Sequence, residues 1–202
     1  TGRIKNGEKT FLNGLSMGMY GDGSVTGSIN GLQNLVADTP TSGVVGGIDR
    51  ASYSFWQNGF YRAVTDGGSA ATSANIQHYM NSLWRTLVRG RDMPDLIVAD
   101  GAYWQLYLES LQAIQRITTE GSAPELAEIG YQTLKYMSAD VVLDGGFQGF
   151  SGDPLPLKIS TDTSAVGGAP SNHMYFLNTS FLHWRPHKDV NMVPLDPDRV
   201  SI

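Results

Sequence analysis

Thr72-Ser-Ala-Asn-Ile-Gln-His-Tyr-Met-Asn-Ser-Leu-Trp-Arg-Thr-Leu-Val-Arg89, followed shortly by Asp95-Leu-Ile-Val-Ala-Asp100, is the stretch on which the fold turns. Ile76, Tyr79, Met80, Leu83, Trp84, Leu87 and Val88 recur at intervals of three and four, which places one apolar stripe on a helix. Thr72 or Ser73 is expected to cap its start, and Gly90 and Pro94 to stop it. The apolar run after Pro94 suits a strand buried on both faces. A second helix is expected from Gly101 to about Thr118, with Tyr103, Trp104, Tyr107, Leu108, Leu111 and Ile114 on one side. Strands are expected at Tyr131–Met137, Ala139–Leu143 and Met174–Asn178, with shorter ones at Leu155–Ser160 and Leu182–Arg185. Two helices flanking a strand, then a late run of strands, predict an α+β domain, not a doubly wound sheet.

Outward from that centre, Ile4, Glu8, Phe11, Leu12 and Leu15 fall at helical spacing and close near Gly18 to Gly23. The start, Thr1-Gly2-Arg3-Ile4-Lys5, lacks an initiator Met and the apolar core of a signal peptide, and is expected to begin inside a longer protein. A short helical turn is expected from Leu32 to Val36, ended by Pro40. Thr41 to Gly47 reads as a loop entering an extended segment, and Ser52 to Arg62 holds the densest aromatic patch. Pro124–Ile129 carries no decisive pattern. Gly145–Pro154 is a Gly-rich loop, and Thr161–Ser171 is small and polar, which predicts mobility.

Composition excludes several classes. The 202 residues carry a formal net charge of −5, and Arg85, Arg89 and Arg91 are too few for a duplex-binding face. They read as a solvated helix end. With no cysteine, disulfides, thiolate catalysis and Cys-based metal sites are removed together. No apolar run approaches the ~18 residues of a membrane span. The 24 glycines exceed the average share of ~7% by more than half, which implies many tight turns or close backbone approaches.

The candidate chemistry is thin. Asp100 stands at a strand end before a helix, the corner where open α/β sheets place ligands. No glycine fingerprint precedes that helix, so Asp100 reads as its N-cap. Gly21-Asp-Gly-Ser-Val-Thr-Gly27 resembles a phosphate cradle, yet no Lys-Ser or Lys-Thr follows and the loop leaves a helix instead of entering one. It is expected to be a turn. Asp22, Asn30 and Asp38 lack the spacing of a calcium loop. His183 and His187 would share a helix face, but Pro186 lies between them, and a three-His set with His173 is not expected. Asp140 and Asp144 flank a strand end and read as a solvated turn, not a catalytic carboxylate pair. Tyr53, Phe55, Trp56, Phe60 and Tyr61 offer faces for stacking single-stranded bases, with only Arg50 and Arg62 as cations. Core or subunit-contact packing is the expected use. No Gly-x-Ser-x-Gly elbow occurs. No catalytic, cofactor-binding or metal-binding residue is therefore predicted.

One stretch is distinctive. Ile29-Asn-Gly-Leu-Gln-Asn-Leu-Val-Ala-Asp-Thr-Pro-Thr-Ser-Gly-Val-Val-Gly-Gly-Ile-Asp-Arg50, then Phe55-Trp56, resembles the major capsid proteins of tailed bacteriophages. The likeness continues in Arg3-Ile4-Lys5-Asn6, Pro94-Asp-Leu-Ile-Val-Ala-Asp100, Tyr175-Phe-Leu-Asn-Thr-Ser180, His183-Trp-Arg-Pro-His187 and Asn191-Met-Val-Pro-Leu-Asp-Pro197. The order of these matches, over nearly the whole chain, makes the set specific.

The resemblance implies an α+β tailed-phage capsid fold. Residues 1–70 with 181–202 would form a peripheral subdomain with the end of the spine helix, and 71–180 an axial subdomain. It implies a non-enzymatic structural subunit of an icosahedral phage head around double-stranded DNA, made in the bacterial cytoplasm and residing in the virion. Its partners would be copies of itself, in hexamers and pentamers, with scaffolding and portal proteins. No membrane, cofactor or sequence-specific nucleic acid is implied. Family members carry an N-terminal arm and an extended loop ahead of the spine helix, which these residues lack, so this chain alone is expected to be a monomer or small oligomer. No motif carries the family's Lys–Asn crosslinking onto a residue here. Two other readings stay open: an α/β enzyme with a site near Asp100, and a single-stranded nucleic-acid module using Tyr53–Tyr61.

Overall fold

The computed structural model describes residues 2–24, 29–118, 134–144 and 168–183. Along the chain run α1 (Gly2–Met19), α2 (Leu32–Leu35), β1 (Val44–Val45), β2 (Ile48–Asp49), a 3-10 turn (Ser54–Trp56) and α3 (Ile76–Leu87). Then come β3 (Leu96–Ala99), α4 (Gly101–Thr118), β4 (Leu134–Tyr136), β5 (Ala139–Leu143) and β6 (Met174–Leu177). β1 and β2 form a two-stranded hairpin, and the other four strands form one sheet in the order β4-β5-β3-β6. β3 runs parallel to β5 and antiparallel to β6, and β4 pairs antiparallel with β5. Helices and a mixed sheet make this an α+β protein.

Strand alternation divides the core into two layers. Ile97 and Ala99 point to one face of β3 and Val98 to the other, because successive side chains leave a strand on opposite sides. On the first face Ile97, Ala139, Val141 and Tyr136 pack against Ile76, Met80 and Trp84 of α3 and Tyr107 of α4. Edge-to-face rings tie this layer, with Trp84, Tyr107 and Phe176 all lying 5.6–6.4 Å from the Tyr136 ring. On the second face Val98, Tyr175 and Leu177 pack against Tyr20 at the exit of α1, with Leu32 and Val36 from the α2 region beside them. The N-terminal segment thus covers the face that the long helices leave open.

α3 starts later than Thr72 or Ser73 would allow. Its N-cap is Asn75, whose side-chain amide donates to Ser69 Oγ, the Ala70 carbonyl and Tyr79 Oη, while its Oδ1 accepts from the Thr72 amide. The side chain is spent on the preceding turn, which holds residues 72–75 out of the helix. The helix gives way at Val88, before Gly90 at φ +64°. α2 ends at Leu35, well ahead of Pro40.

The end of Thr41–Gly47 forms the first strand and the turn of a hairpin completed by β2, which its small residues did not announce. Val45 pairs with Ile48 across Gly46 and Gly47, whose φ of +60° and +81° suit a two-residue turn that L side chains enter at a cost. Leu182 and His183 lie outside any strand. The expected features at 124–129, 145–154, 155–160, 161–167 and 184–202, His187 among them, lie outside the described residues, as does the beginning of the Tyr131–Met137 strand.

Candidate functional site

The end of β3 is where sequence reasoning placed the one plausible corner for chemistry. Asp100 is buried there, and its carboxylate serves as a backbone anchor. Oδ1 accepts from the Tyr103 amide at 3.0 Å, and Oδ2 accepts from the Ala102 amide at 3.4 Å and from the Asn172 amide at 2.8 Å. The first two contacts cap α4 as expected. The third was not expected. It fastens the loop before β6, where Asn172 sits at φ +61°, to the start of α4.

Beside that loop, an open groove of about 500 Å³ runs between residues 58–65, α3 and the start of β6. Val36, Phe60, Met80, Leu83, Leu87 and Phe176 make most of it apolar, and Asp38, Asn58 and His173 stand at a polar end. A second cavity of about 350 Å³ adjoins it, lined by Asp22, Gln33, Ser171 and Tyr175 among others, and shares Asp38 and His173. His173 Nε2 lies 2.9 Å from Asp38 Oδ2, and Nδ1 lies 2.8 Å from the Ser171 carbonyl. Burial acts to lower the His173 pKa, but the Asp38 hydrogen bond, the Ser171 carbonyl and the charges of Asp38 and Asp100 outweigh it and raise the pKa.

The aromatic patch is not in the core. Phe55 is 76% exposed, and Tyr53, Trp56 and Phe60 are exposed too, which corrects any expectation of core packing. Tyr61 is half-buried against Tyr79. The ridge is nonetheless stiff. Trp56 Nε1 donates to the Val45 carbonyl at 3.0 Å and Gln57 Nε2 to the Arg50 carbonyl at 2.8 Å, while Arg50 donates to the Leu35 carbonyl. Neither nearby cation is placed to serve a phosphate. Arg50 is buried beneath the ridge, and Arg62 donates to the Asp38 carbonyl with its guanidinium over the Phe60 ring.

Other candidates resolve individually. Asp22 Oδ1 accepts from the Ser24 amide, which makes the Gly21 loop begin as a turn. Arg85 in the last turn of α3 is exposed, as are Arg89 and Arg91 in the turn beyond it, where Arg89 pairs with Asp92 through the backbone. Asp140 and Asp144 are not a solvated turn. Asp140 lies within β5 and pairs with Lys135 at 3.0 Å, and Asp144 accepts from Tyr20 Oη at 2.6 Å. Burial first, and then Asp144, push the Tyr20 pKa upward. Among the described residues no group of three or more His, Asp or Glu side chains is placed to hold a metal ion, and no helix is long and apolar enough to cross a membrane.

The contacts that sequence reasoning missed share one property. Asp38–His173 spans 135 residues, Tyr20–Asp144 spans 124 and Asp100–Asn172 spans 72, so no local spacing signals them. No protein-family model, curated protein or solved structure matches the chain.

Proposed function

We propose that the chain is a shell-forming structural subunit of the tailed-phage major capsid type, which works by tiling against copies of itself and has no catalytic centre. The observation that carries this reading is the exposed ridge of Tyr53, Phe55 and Trp56, whose rings meet edge to face, with Phe60 exposed four residues on. It lies in and just beyond the segment whose sequence resembles the capsid family, and side chain–backbone bonds hold it rigid. Contiguous exposed aromatic side chains on a stiff support are a common mark of a protein–protein contact. A shell subunit needs such contacts in heterologous, repeating form.

Two observations weigh against the other readings. Base stacking calls for free cations beside the aromatics, and Arg50 and Arg62 are committed to carbonyl oxygens. Catalysis at Asp100 calls for a carboxylate aimed at a substrate, whereas both of its oxygens accept backbone N–H groups.

Expression of the complete reading frame that carries these residues, followed by negative-stain microscopy, tests the proposal. Closed shells are expected, and Phe55→Ser should suppress them while leaving the far-ultraviolet circular dichroism unchanged. A full-length product that stays monomeric at high concentration overturns the proposal.

A further inference from the structure

His173 joins two parts of the chain that lie far apart in sequence, and both of its partners are obligate acceptors. The Ser171 carbonyl faces Nδ1 at 2.8 Å, and the Asp38 carboxylate faces Nε2 at 2.9 Å. A neutral imidazole carries one N–H and satisfies one of them; an imidazolium carries two and satisfies both. We propose that His173 is a proton-operated clamp that, when charged, ties the lobe around Ala37–Arg62 to the loop leading into β6, and loosens when neutral, because its single N–H is then divided between the two acceptors.

The lobe is braced internally by reciprocal bonds. Asn58 Oδ1 accepts from the Ala37 amide, its Nδ2 donates to the Ala37 carbonyl, and Arg62 donates to the Asp38 carbonyl. On the other side, the loop is held to α4 through the Asn172 amide and Asp100. The clamp therefore connects two braced bodies. Both of its members line the two adjoining cavities, together with Val36 and Tyr175.

The charged and titratable groups around it favour the closed form. Asp38 faces His173 from the loop after α2, and Asp100 lies at the start of α4. Asp22, after α1, and Tyr103, on α4, line the adjoining cavities. Tyr175, on β6, stacks on the imidazole with ring centres 6.4 Å apart, and burial keeps its hydroxyl neutral far into the alkaline range. Arg62 is the opposing cation, and its guanidinium is engaged at the Asp38 carbonyl. The folded-state pKa of His173 lies above the ordinary value near 6.5. The clamp's contribution is thus complete below about pH 6.5 and fades as pH rises through the higher folded-state pKa. Asp38 is 71% exposed and His173 31%, so solvent screens the pair. The expected effect is a local opening that changes about two- to fivefold, with global unfolding little affected.

The test pairs a nuclear magnetic resonance titration of the histidine rings with amide hydrogen exchange at residues 36–40 and 58–62, corrected for intrinsic base catalysis. In the wild-type chain His173 should titrate above the ordinary imidazole value, and protection of both segments should fall about two- to fivefold through that titration. Asp38→Asn, at an exposed carboxylate, should lower the His173 midpoint, and His173→Gln should flatten the pH profile of protection. A His173 midpoint at or below about 6.5 overturns the clamp, as does a midpoint unmoved by Asp38→Asn. So does the same pH profile in His173→Gln. If His173→Gln does not fold, the Asp38→Asn comparison decides alone.

Discussion

Replacing Asp100 by Ala removes the acceptor that three backbone amides share, at 3.4, 3.0 and 2.8 Å. Loss of the cap costs about 1 kcal/mol, within a usual span of about 0.5–2. Loss of the carboxylate's bond to the Asn172 amide, in a half-buried loop, adds about 1–3 kcal/mol. The sum is about 2–4 kcal/mol. With a urea slope of about 2 kcal/mol per molar, the unfolding midpoint should fall by roughly 1–2 M. Asp100→Asn keeps one acceptor oxygen and is among the best caps, so it should lose about half as much. Urea titration followed by circular dichroism measures both. An Ala variant within about 0.5 kcal/mol of wild type, or Asn and Ala variants of equal stability, would refute the anchoring role.

Gly31→Ala should destabilise by at least about 2 kcal/mol, because a Cβ there would stand 2.4 Å from the Met19 carbonyl oxygen and 2.6 Å from that of Gly21, both backbone atoms that cannot rotate away. Thermal melting checks it, and an unchanged melting temperature would contradict the packing of α2 against the exit of α1. Met137, at φ +52° and 63% exposed, occupies the first position of the two-residue turn between β4 and β5. Met137→Gly should relieve about 1–2 kcal/mol of left-handed strain against about 0.5–1 kcal/mol of added chain entropy, for a net gain near 0.5–1 kcal/mol in urea unfolding. Tyr136, buried against Trp84 and Tyr107 and bonded to Asn81 Oδ1, has its pKa pushed up to about 12, first by burial and then by Tyr107. Its folded-state pKa is raised, so its share of stability is complete below about pH 10 and lost between 10 and 12. The urea midpoint should fall across that window, and less steeply in Tyr136→Phe.

The helices around the central strand were legible because their signal is local. The Ile76–Trp84 spacing and the Leu96–Ala99 run state which faces are apolar, and those faces are the ones buried against the sheet and on either side of β3. The capping role of Asp100 was legible for the same reason, since a cap and its amides are three residues apart. Boundaries were less so. Thr72 and Ser73 are good caps in isolation, but Asn75 binds backward to Ser69 and Ala70, and that competition is invisible in residue types.

The destination of the aromatics was decided by tertiary structure alone. Tyr61, Tyr79 and Tyr136 are apolar rings like Phe55 and Trp56, yet the first three find partners in the core and the last two do not. Sequence determined that this chain has two amphipathic helices about a buried strand, no thiol chemistry and no broad cationic face, because composition and period depend only on neighbouring residues. Folding decided that Asp38 meets His173, that Tyr20 meets Asp144, and that the ridge from Tyr53 to Phe60 faces outward. Those contacts arise when one face of the sheet is covered by α3 and α4 and the other by Tyr20, Leu32 and Val36, an arrangement driven by burial of two apolar faces, which no spacing along the chain encodes.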